Sequence, residues 1–216
     1  MNQIKNILKE LKRIQQLVCH RKLIHMIMLL KLLSTQYRGF DGGTGKDSYG
    51  GDDVQDVLSL IEIVQHLSFA SGKIYLYGES RGGLQAYCTI KEVYLANRDR
   101  ISVAIVKSGV TDLIELYHYR DWNMKSRLIQ SVGNTPEQLP DEYEKRSVVY
   151  WPEMINVPLL IIHGRADERV PVSQAETIYD LLRTSHKDVE LMLYNAGHSD
   201  FTLESFSNAF EWLLSH

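Results

Sequence analysis

The stretch KIYLYGESRGGLQAYCTI, residues 73–90, begins with an apolar run, turns at a serine between glycines and continues with helix-forming residues. The run before Gly78 predicts a β-strand, and the run after Ser80 predicts an α-helix. A G-x-S-x-G motif between a strand and a helix is typical of a nucleophile elbow, a sharp turn that raises the serine hydroxyl above the sheet. Gly78 and Gly82 are expected to leave space where a Cβ atom would meet the crossing chain. Taken alone, the motif is also compatible with an ordinary glycine-rich turn.

The chain beyond residue 33 alternates between strand-like and helix-like segments. A strand is predicted to end at residues 33–37, and further strands are predicted at residues 73–78, 101–109, 157–164 and 188–195. Helices are predicted at residues 52–67, 81–97, 173–185 and 203–216. This alternation predicts an α/β fold in which a mostly parallel sheet carries helices on both faces. Residues 111–155 form a polar, partly helical excursion, which is the candidate for a cap or lid.

Composition limits the classes of partner. The net charge is −3 and no basic block is present, so neither nucleic acid nor an anionic membrane surface is expected as a partner. The two cysteines, Cys19 and Cys88, lack the C-x-x-C spacing of a zinc or redox site and are too few for a disulfide framework. We therefore expect a reducing, cytoplasmic location. The histidines show no metal-ligand spacing, so no metal or other cofactor is expected.

The first 33 residues differ in texture from the remainder. They are basic, rich in Leu, Ile and Met, and free of Gly, Pro and Asp. Their apolar part, LIHMIMLLKLL at residues 23–33, is interrupted by His25 and Lys31 and is too short to span a membrane, which takes about 20 apolar residues. No small-residue cleavage site of a signal peptide follows. We expect residues 1–33 to form an atypical helical segment that precedes a catalytic domain at residues 34–216.

Two later residues have the properties that a reactive serine requires. A serine hydroxyl is a poor nucleophile until a base accepts its proton, and an imidazole needs an acid to hold its tautomer. Asp167 follows the strand predicted at 157–164, and His198 follows the next strand. Both lie past the carboxyl ends of strands, where open α/β sheets place their sites, and the order Ser, Asp, His is the one used in this kind of fold. Asp112 is a rival acid, since some related folds recruit one after the preceding strand.

Other polar and aromatic residues have simpler interpretations. His163 ends an apolar strand and is predicted to be a satisfied core histidine rather than a catalytic base. Residues 42–51 are predicted to form a loop near the edge of the site. Four aromatic residues of the excursion fit either the lining of a pocket or ordinary packing: Trp122, Tyr143, Tyr150 and Trp151.

Residues 34–216 resemble the catalytic domain of the prolyl oligopeptidase family of serine peptidases, within the α/β-hydrolase superfamily. The matching stretches are QYRGFDGGTGKDSYGGDDVQDV, YGESRGG, GNTPEQLPDEYEKRSVVYWPEMINVPLLIIHG, LLIIHGRADERVPVSQAE and ELMLYNAGHSDF. The resemblance implies that Ser80 is the nucleophile, His198 the general base and then acid, and Asp167 the residue that orients the imidazole. It also implies an oxyanion donor at the backbone N–H of Arg81, and an acyl-enzyme that water hydrolyses.

The sequence departs from the family before residue 34. In the superfamily, a strand between the one ending at residues 33–37 and the one at 73–78 carries the loop with the second oxyanion donor. No HGGG-like or Tyr-Gly-Gly stretch is found before residue 34. We therefore expect an N-terminally incomplete sheet and a weakened oxyanion hole. A truncated or altered coding region, and a real divergence in which the N-terminal helix covers the sheet, both remain open.

Three functions are compatible with these residues. The first is a peptidase of prolyl oligopeptidase type that cleaves short peptides. The second is a carboxylesterase or other acyl hydrolase that uses the same three residues. The third is a non-catalytic remnant. The choice between peptide and ester depends on a pocket formed partly by residues 111–155, and the sequence indicates neither that preference nor the oligomeric state.

Overall fold

The residues that the computed structural model describes, 31–40, 42–68, 70, 72–200 and 203–216, form one sheet of four strands with helices around it. The strands are β1 (Tyr75–Glu79), β2 (Val103–Lys107), β3 (Leu159–Gly164) and β4 (Val189–Tyr194). The helices are α1 (Val54–Gln65), α2 (Arg81–Leu95), α3 (Leu113–Tyr119), α4 (Trp122–Val132), α5 (Pro140–Glu144), α6 (Val172–Thr184) and α7 (Leu203–Ser215), with 3₁₀ turns at Val148–Tyr150 and Pro152–Met154. Among these helices none combines the length and apolar character that crossing a bilayer requires.

The four strands are all parallel and lie in the order β1-β2-β3-β4. Their carboxyl ends therefore lie along one edge of the sheet, and so do the loops that follow them. The α/β arrangement and the four strands predicted beyond residue 72 are confirmed. Because each strand is followed by a helix or a helical excursion, the chain returns to the same end of the sheet before each new strand.

The sheet is buried on both faces, which explains the continuous apolar run of β3. Successive side chains of a strand point to opposite faces. Ile161 belongs to the same buried cluster as Ile90 of α2 and Ile178 of α6. Its neighbour Ile162 belongs to a second cluster with Trp212 of α7. All six residues of β3 are buried, as expected for a central strand of a parallel sheet.

Within the described residues β1 lies at an edge of the sheet. Two of its aromatic side chains remain accessible, with Tyr75 37% and Tyr77 39% exposed. The prediction that a strand ends at residues 33–37 is wrong, because these residues form neither strand nor helix. A strand is stable only when its backbone pairs, and no described residue supplies a strand between this segment and β1. A helix was predicted for residues 1–33, of which residues 1–30 lie outside the described residues. Residues 31–33 are in neither helix nor strand.

The excursion between β2 and β3 contains α3, α4 and α5 and is partly helical, as predicted. Packing accounts for two of its four aromatic residues, because Tyr143 and Trp151 are buried in the main core. The Tyr143 hydroxyl donates to the carbonyl oxygen of Asn134 at 2.9 Å. By contrast, Trp122 is 70% exposed and Tyr150 48% exposed.

Candidate active site

Ser80 occupies a strained turn between β1 and α2. Its backbone has φ +56° and ψ −121°, in a region that non-glycine residues rarely adopt. Such a conformation costs about 1–3 kcal/mol and persists only where the surroundings enforce it. Here the Ser80 N–H donates to the carbonyl of Lys107 at 2.9 Å, and the Ser80 carbonyl accepts from the N–H of Gly83 at 2.9 Å. The strand, turn and helix therefore have the form of a nucleophile elbow, and Ser80 does not point into the core.

Two glycines make this turn possible, and only one of them was expected. A Cβ at Gly78 would lie 2.2 Å from the carbonyl oxygen of Gly82, so no side chain fits there. A Cβ at Gly83 would lie 2.6 Å from the Cα of Gly109 on the neighbouring chain segment. At Gly82 the nearest atom would be the Tyr37 hydroxyl at 3.5 Å, an ordinary contact. The prediction that Gly82 avoids a clash is therefore wrong, because a Cβ at Gly82 would meet only the Tyr37 hydroxyl, whereas the carbonyl of Gly82 is what excludes a Cβ at Gly78.

The structure brings the three residues singled out from the sequence into one hydrogen-bonded row. The Nε2 atom of His198 lies 2.8 Å from the Ser80 hydroxyl oxygen, and its Nδ1 atom lies 2.7 Å from Asp167 Oδ2. The side chain of Asp167 is fully buried, and that of His198 is nearly so. A carboxylate beside Nδ1 keeps the ring proton on that nitrogen, so Nε2 presents its lone pair to the serine hydroxyl. This arrangement can remove a proton from Ser80.

Asp167 is held as an anion by the donors around it. Burial alone would raise the pKa of its carboxyl group, but hydrogen bonds from His163, His198 and the backbone hold that pKa below its usual value. The backbone bonds come from the N–H groups of Arg169 and Val170, which donate to Oδ1 at 2.8 and 2.9 Å. The carboxylate is thereby fixed in orientation, with Oδ2 left to face the imidazole of His198.

His163 is buried as predicted, but it also touches the carboxylate, which the sequence did not indicate. Its Nε2 atom lies 2.9 Å from the carbonyl oxygen of Val170 and 3.3 Å from Asp167 Oδ2. Both neighbours are acceptors, so Nε2 carries the ring proton. Only the four-residue spacing between His163 and Asp167, across the turn that ends β3, hinted at this contact.

Backbone contacts tie the loop that carries Asp167 to the loop that carries His198. The N–H of Arg165 donates to the carbonyl of Tyr194 at 2.8 Å, and the N–H of Ala166 donates to the carbonyl of Ala196 at 3.1 Å. Gly164 permits this approach, because a Cβ there would lie 2.2 Å from the Ala196 carbonyl oxygen. Asp167 and His198 are thus fixed relative to each other by their main chains.

The rival acid has a structural role of its own. Asp112 caps α3, where its Oδ1 atom accepts from the N–H groups of Ile114 at 2.8 Å and Glu115 at 3.1 Å. The Asp112 carboxylate is therefore engaged by the backbone at the start of α3.

Across the part of the chain that the structure describes, no group of three His, Cys, Asp or Glu side chains is arranged to hold a metal ion.

Arg81 fastens the glycine-rich loop to the helix that follows Ser80. Its guanidinium group pairs with the carboxylates of Asp47 and Asp53 and lies over the ring of Tyr37, 3.9 Å from the ring centre. The loop predicted near the site edge is therefore held there. As the first residue of α2, Arg81 also has a backbone N–H without an intrahelical acceptor.

Comparison with known proteins assigns the family. The model of the prolyl oligopeptidase family matches residues 41–216, which include Ser80, Asp167 and His198. The chain belongs to the prolyl oligopeptidase family. The match covers the whole described sheet and the loops at its carboxyl edge, so the resemblance noted from sequence motifs is confirmed.

Relatives within the family are considerably longer. The chain is 29% identical over 160 residues to the uncharacterized peptidase YtmA of Bacillus subtilis, covering 74% of this chain and 60% of that protein. It is 30% identical over 208 residues to the human acylamino-acid-releasing enzyme, covering 86% of this chain and 27% of that enzyme. The chain thus spans from about a quarter to three fifths of the length of these relatives.

Solved structures support the fold. A puromycin-hydrolyzing peptidase of Mycobacterium tuberculosis superposes with a TM-score of 0.69 at 20% identity, covering 77% of this chain and 25% of that one. An acylaminoacyl peptidase of Pyrococcus horikoshii gives a TM-score of 0.61 at 23% identity, covering 70% of this chain and 24% of that one. These likenesses confirm the predicted fold class, an α/β-hydrolase-like parallel sheet with helices.

Proposed function

We propose that this family member is a serine hydrolase that cleaves peptide bonds in short peptides, with Ser80 as nucleophile, His198 as base and Asp167 as orienting acid. The observation that carries the proposal is the unbroken row of two hydrogen bonds, 2.8 Å from His198 to Ser80 and 2.7 Å from His198 to Asp167. A strained elbow serine hydrogen-bonded to an imidazole is costly to maintain for packing alone.

In the proposed reaction, Ser80 Oγ attacks the carbonyl carbon of the substrate while its proton moves to His198 Nε2. Asp167, held anionic, stabilises the imidazolium that forms. The tetrahedral intermediate collapses when His198 gives the proton to the leaving amine, and an acyl-enzyme remains on Ser80. Water then attacks the acyl carbonyl, with His198 again accepting a proton and returning it to Ser80 Oγ.

The reaction also needs hydrogen-bond donors for the oxyanion of the tetrahedral intermediate. We assign one donor, the backbone N–H of Arg81, because it lies at the start of α2 next to Ser80. The sequence offers no stretch that resembles the family's second donor. Each donor of an oxyanion hole is typically worth about 10²–10³ in kcat.

Related proteins suggest the class of substrate. Relatives named acylamino-acid-releasing enzyme and a structural neighbour described as puromycin-hydrolyzing act, by those names, at the carbonyl of an aminoacyl group. We extend this to short N-acylated peptides for the present chain. Ester cleavage by the same three residues is the alternative, because an ester carbonyl is intrinsically easier to attack than an amide. Cys88 is buried and unpaired, which suits the proposed cytoplasmic location.

The test compares N-acetyl-alanine p-nitroanilide with p-nitrophenyl acetate as substrates of the full chain. We expect the ester to turn over faster than the anilide, and we expect Ser80→Ala to abolish both activities. Ser59→Ala, at an exposed position of α1, serves as the matched control and should leave both rates unchanged. Hydrolysis that survives in Ser80→Ala at the wild-type rate would contradict the proposal.

A further inference from the structure

A lysine lies buried at the carboxyl end of β2, a strand whose other residues are apolar. The side chain of Lys107 is 3% exposed, and its Nζ atom lies 3.1 Å from Oε1 of Glu79, whose side chain is 13% exposed. The two residues are direct partners in the register of β1 and β2. Removing two charges from water is expensive, and an apolar pair of similar volume often stabilises a fold as well or better. Stability alone therefore gives little reason for this pair.

The position of Lys107 links the nucleophile to the base. Its carbonyl accepts from the N–H of Ser80 at 2.9 Å, and its Nζ atom lies 3.4 Å from the carbonyl oxygen of His198. The next residue, Ser108, donates from its hydroxyl to the same His198 carbonyl at 3.2 Å. Glu79, which holds the ammonium group, directly precedes Ser80. The main chains of Ser80 and His198 thus both contact Lys107, the first through its backbone carbonyl and the second through its ammonium group.

We propose that the Lys107–Glu79 pair positions His198 relative to Ser80, so that Lys107 is a positioning residue for the reaction proposed above, on which this inference rests. The carbonyl of His198 fixes where its α-carbon lies, and the α-carbon determines where Nε2 points. A displacement of about 1 Å at a reacting group can cost about a hundredfold in rate. Glu79 contributes by holding the ammonium group of Lys107 at the end of β1.

The test variant is Glu79→Gln/Lys107→Met, which removes both charges and keeps the volumes similar. Lys107→Met alone would leave the Glu79 carboxylate buried without its cation and would destabilise the fold for that reason. The double variant avoids that effect but still lacks the donor to the His198 carbonyl. The matched control is Glu142→Gln/Arg146→Met, because Arg146 also donates to a carboxylate and to a backbone carbonyl, at 2.8 and 3.3 Å, away from the three residues of the site.

Two measurements on the full chain separate positioning from stability. One is the low-field proton NMR signal of the hydrogen bond between His198 and Asp167, which needs no turnover. The other is steady-state hydrolysis of p-nitrophenyl acetate, with kcat and KM determined separately. For Glu79→Gln/Lys107→Met we expect the signal to shift or broaden and kcat to fall about ten- to a hundredfold with KM within about twofold. The control variant should change neither.

A wild-type kcat and an unshifted signal in the double variant would overturn the inference. If the wild-type chain proves inactive, the proposed function fails, but the NMR signal still tests the positioning role. A signal that shifts between the wild-type chain and the double variant supports that role. A signal that is the same in both proteins, or that is absent from the wild-type chain, contradicts it. Should the double variant not fold, Ser108→Ala replaces it, because it removes the other donor to the His198 carbonyl. Several-fold loss of kcat at constant KM, or a displaced signal, is then expected, and the absence of both effects would overturn the inference.

Discussion

Replacing Asp167 by Asn should invert the protonation of the imidazole. The Oδ1 atom of Asp167 accepts two backbone N–H groups, at 2.8 and 2.9 Å. An amide NH₂ cannot face two donors, so the oxygen of the new Asn must keep that place. Its NH₂ group then faces His198 Nδ1, which has to become an acceptor. The ring proton moves to Nε2 and points at the hydroxyl of Ser80, where it blocks proton removal.

This change of tautomer should reduce kcat about 10⁴-fold, or to the detection limit of the assay. A loss of that size corresponds to about 5 kcal/mol of transition-state stabilisation. The assay is hydrolysis of p-nitrophenyl acetate, with thermal unfolding followed in parallel to show that the variant is folded. An Asn side chain is nearly the same size as that of Asp and keeps the two backbone donors. The N–H of His163 Nε2 loses its contact with Oδ2 but keeps the Val170 carbonyl at 2.9 Å, so the packing around the new side chain should be retained.

Asp112→Asn is the matched control. Its side-chain oxygen would still cap α3, so its kcat should stay within about twofold of the wild-type value. Near-wild-type activity in Asp167→Asn would refute the argument. So would a large loss in Asp112→Asn, because it would move the role of the acid to that residue.

Three further perturbations test the fold around the site. Gly78→Ala should destabilise the protein by about 3 kcal/mol or more in urea unfolding, because the new Cβ would lie 2.2 Å from a backbone carbonyl oxygen. Gly82→Ala should be tolerated, and equal effects of the two substitutions would contradict the geometry of the elbow. Arg81→Ala should cost about 3–5 kcal/mol, because it leaves two carboxylates without their cation, whereas Arg98→Ala, which removes a half-exposed pair, should cost less than about 1 kcal/mol. Burial would raise the pKa of Asp167, but hydrogen bonds lower it below the unfolded value of about 3.9, so the carboxylate stabilises the fold fully above that pH and less as the pH falls below it. In Asp167→Asn the free energy of unfolding should therefore fall less steeply with decreasing pH. An unchanged dependence of that free energy on pH would argue against the lowered pKa.

The sequence was sufficient wherever local pattern and chain order decide the structure. β3 reads as a continuous apolar run because both of its faces are covered, and α2 follows Ser80 because the elbow motif joins a strand to a helix. Asp167 and His198 were identified from their places after successive strands. In a parallel sheet the loops after successive strands meet at one edge, so their order in the chain predicts that they converge with Ser80.

The features that were missed depend on partners distant in the chain. Residues 33–37 have strand-like composition, but a strand also needs a neighbour with which to pair. Lys107 looks like an exception in an apolar strand until Glu79 is placed beside it. Motif spacing does not show that Gly83 rather than Gly82 meets a neighbouring segment, because that contact comes from Gly109, which follows the next strand. His163 was recognised as buried, but its contact with Asp167 depends on the turn between them.

Labelling with a fluorophosphonate tests whether Ser80 is an activated nucleophile. The probe reacts only with a serine whose proton a base can accept, and mass spectrometry of the digested protein identifies the modified peptide. We expect one adduct, on the peptide that contains Ser80, which disappears in Ser80→Ala and nearly disappears in Asp167→Asn. A folded wild-type chain that takes up no probe, or an adduct that persists in Ser80→Ala, would contradict this expectation.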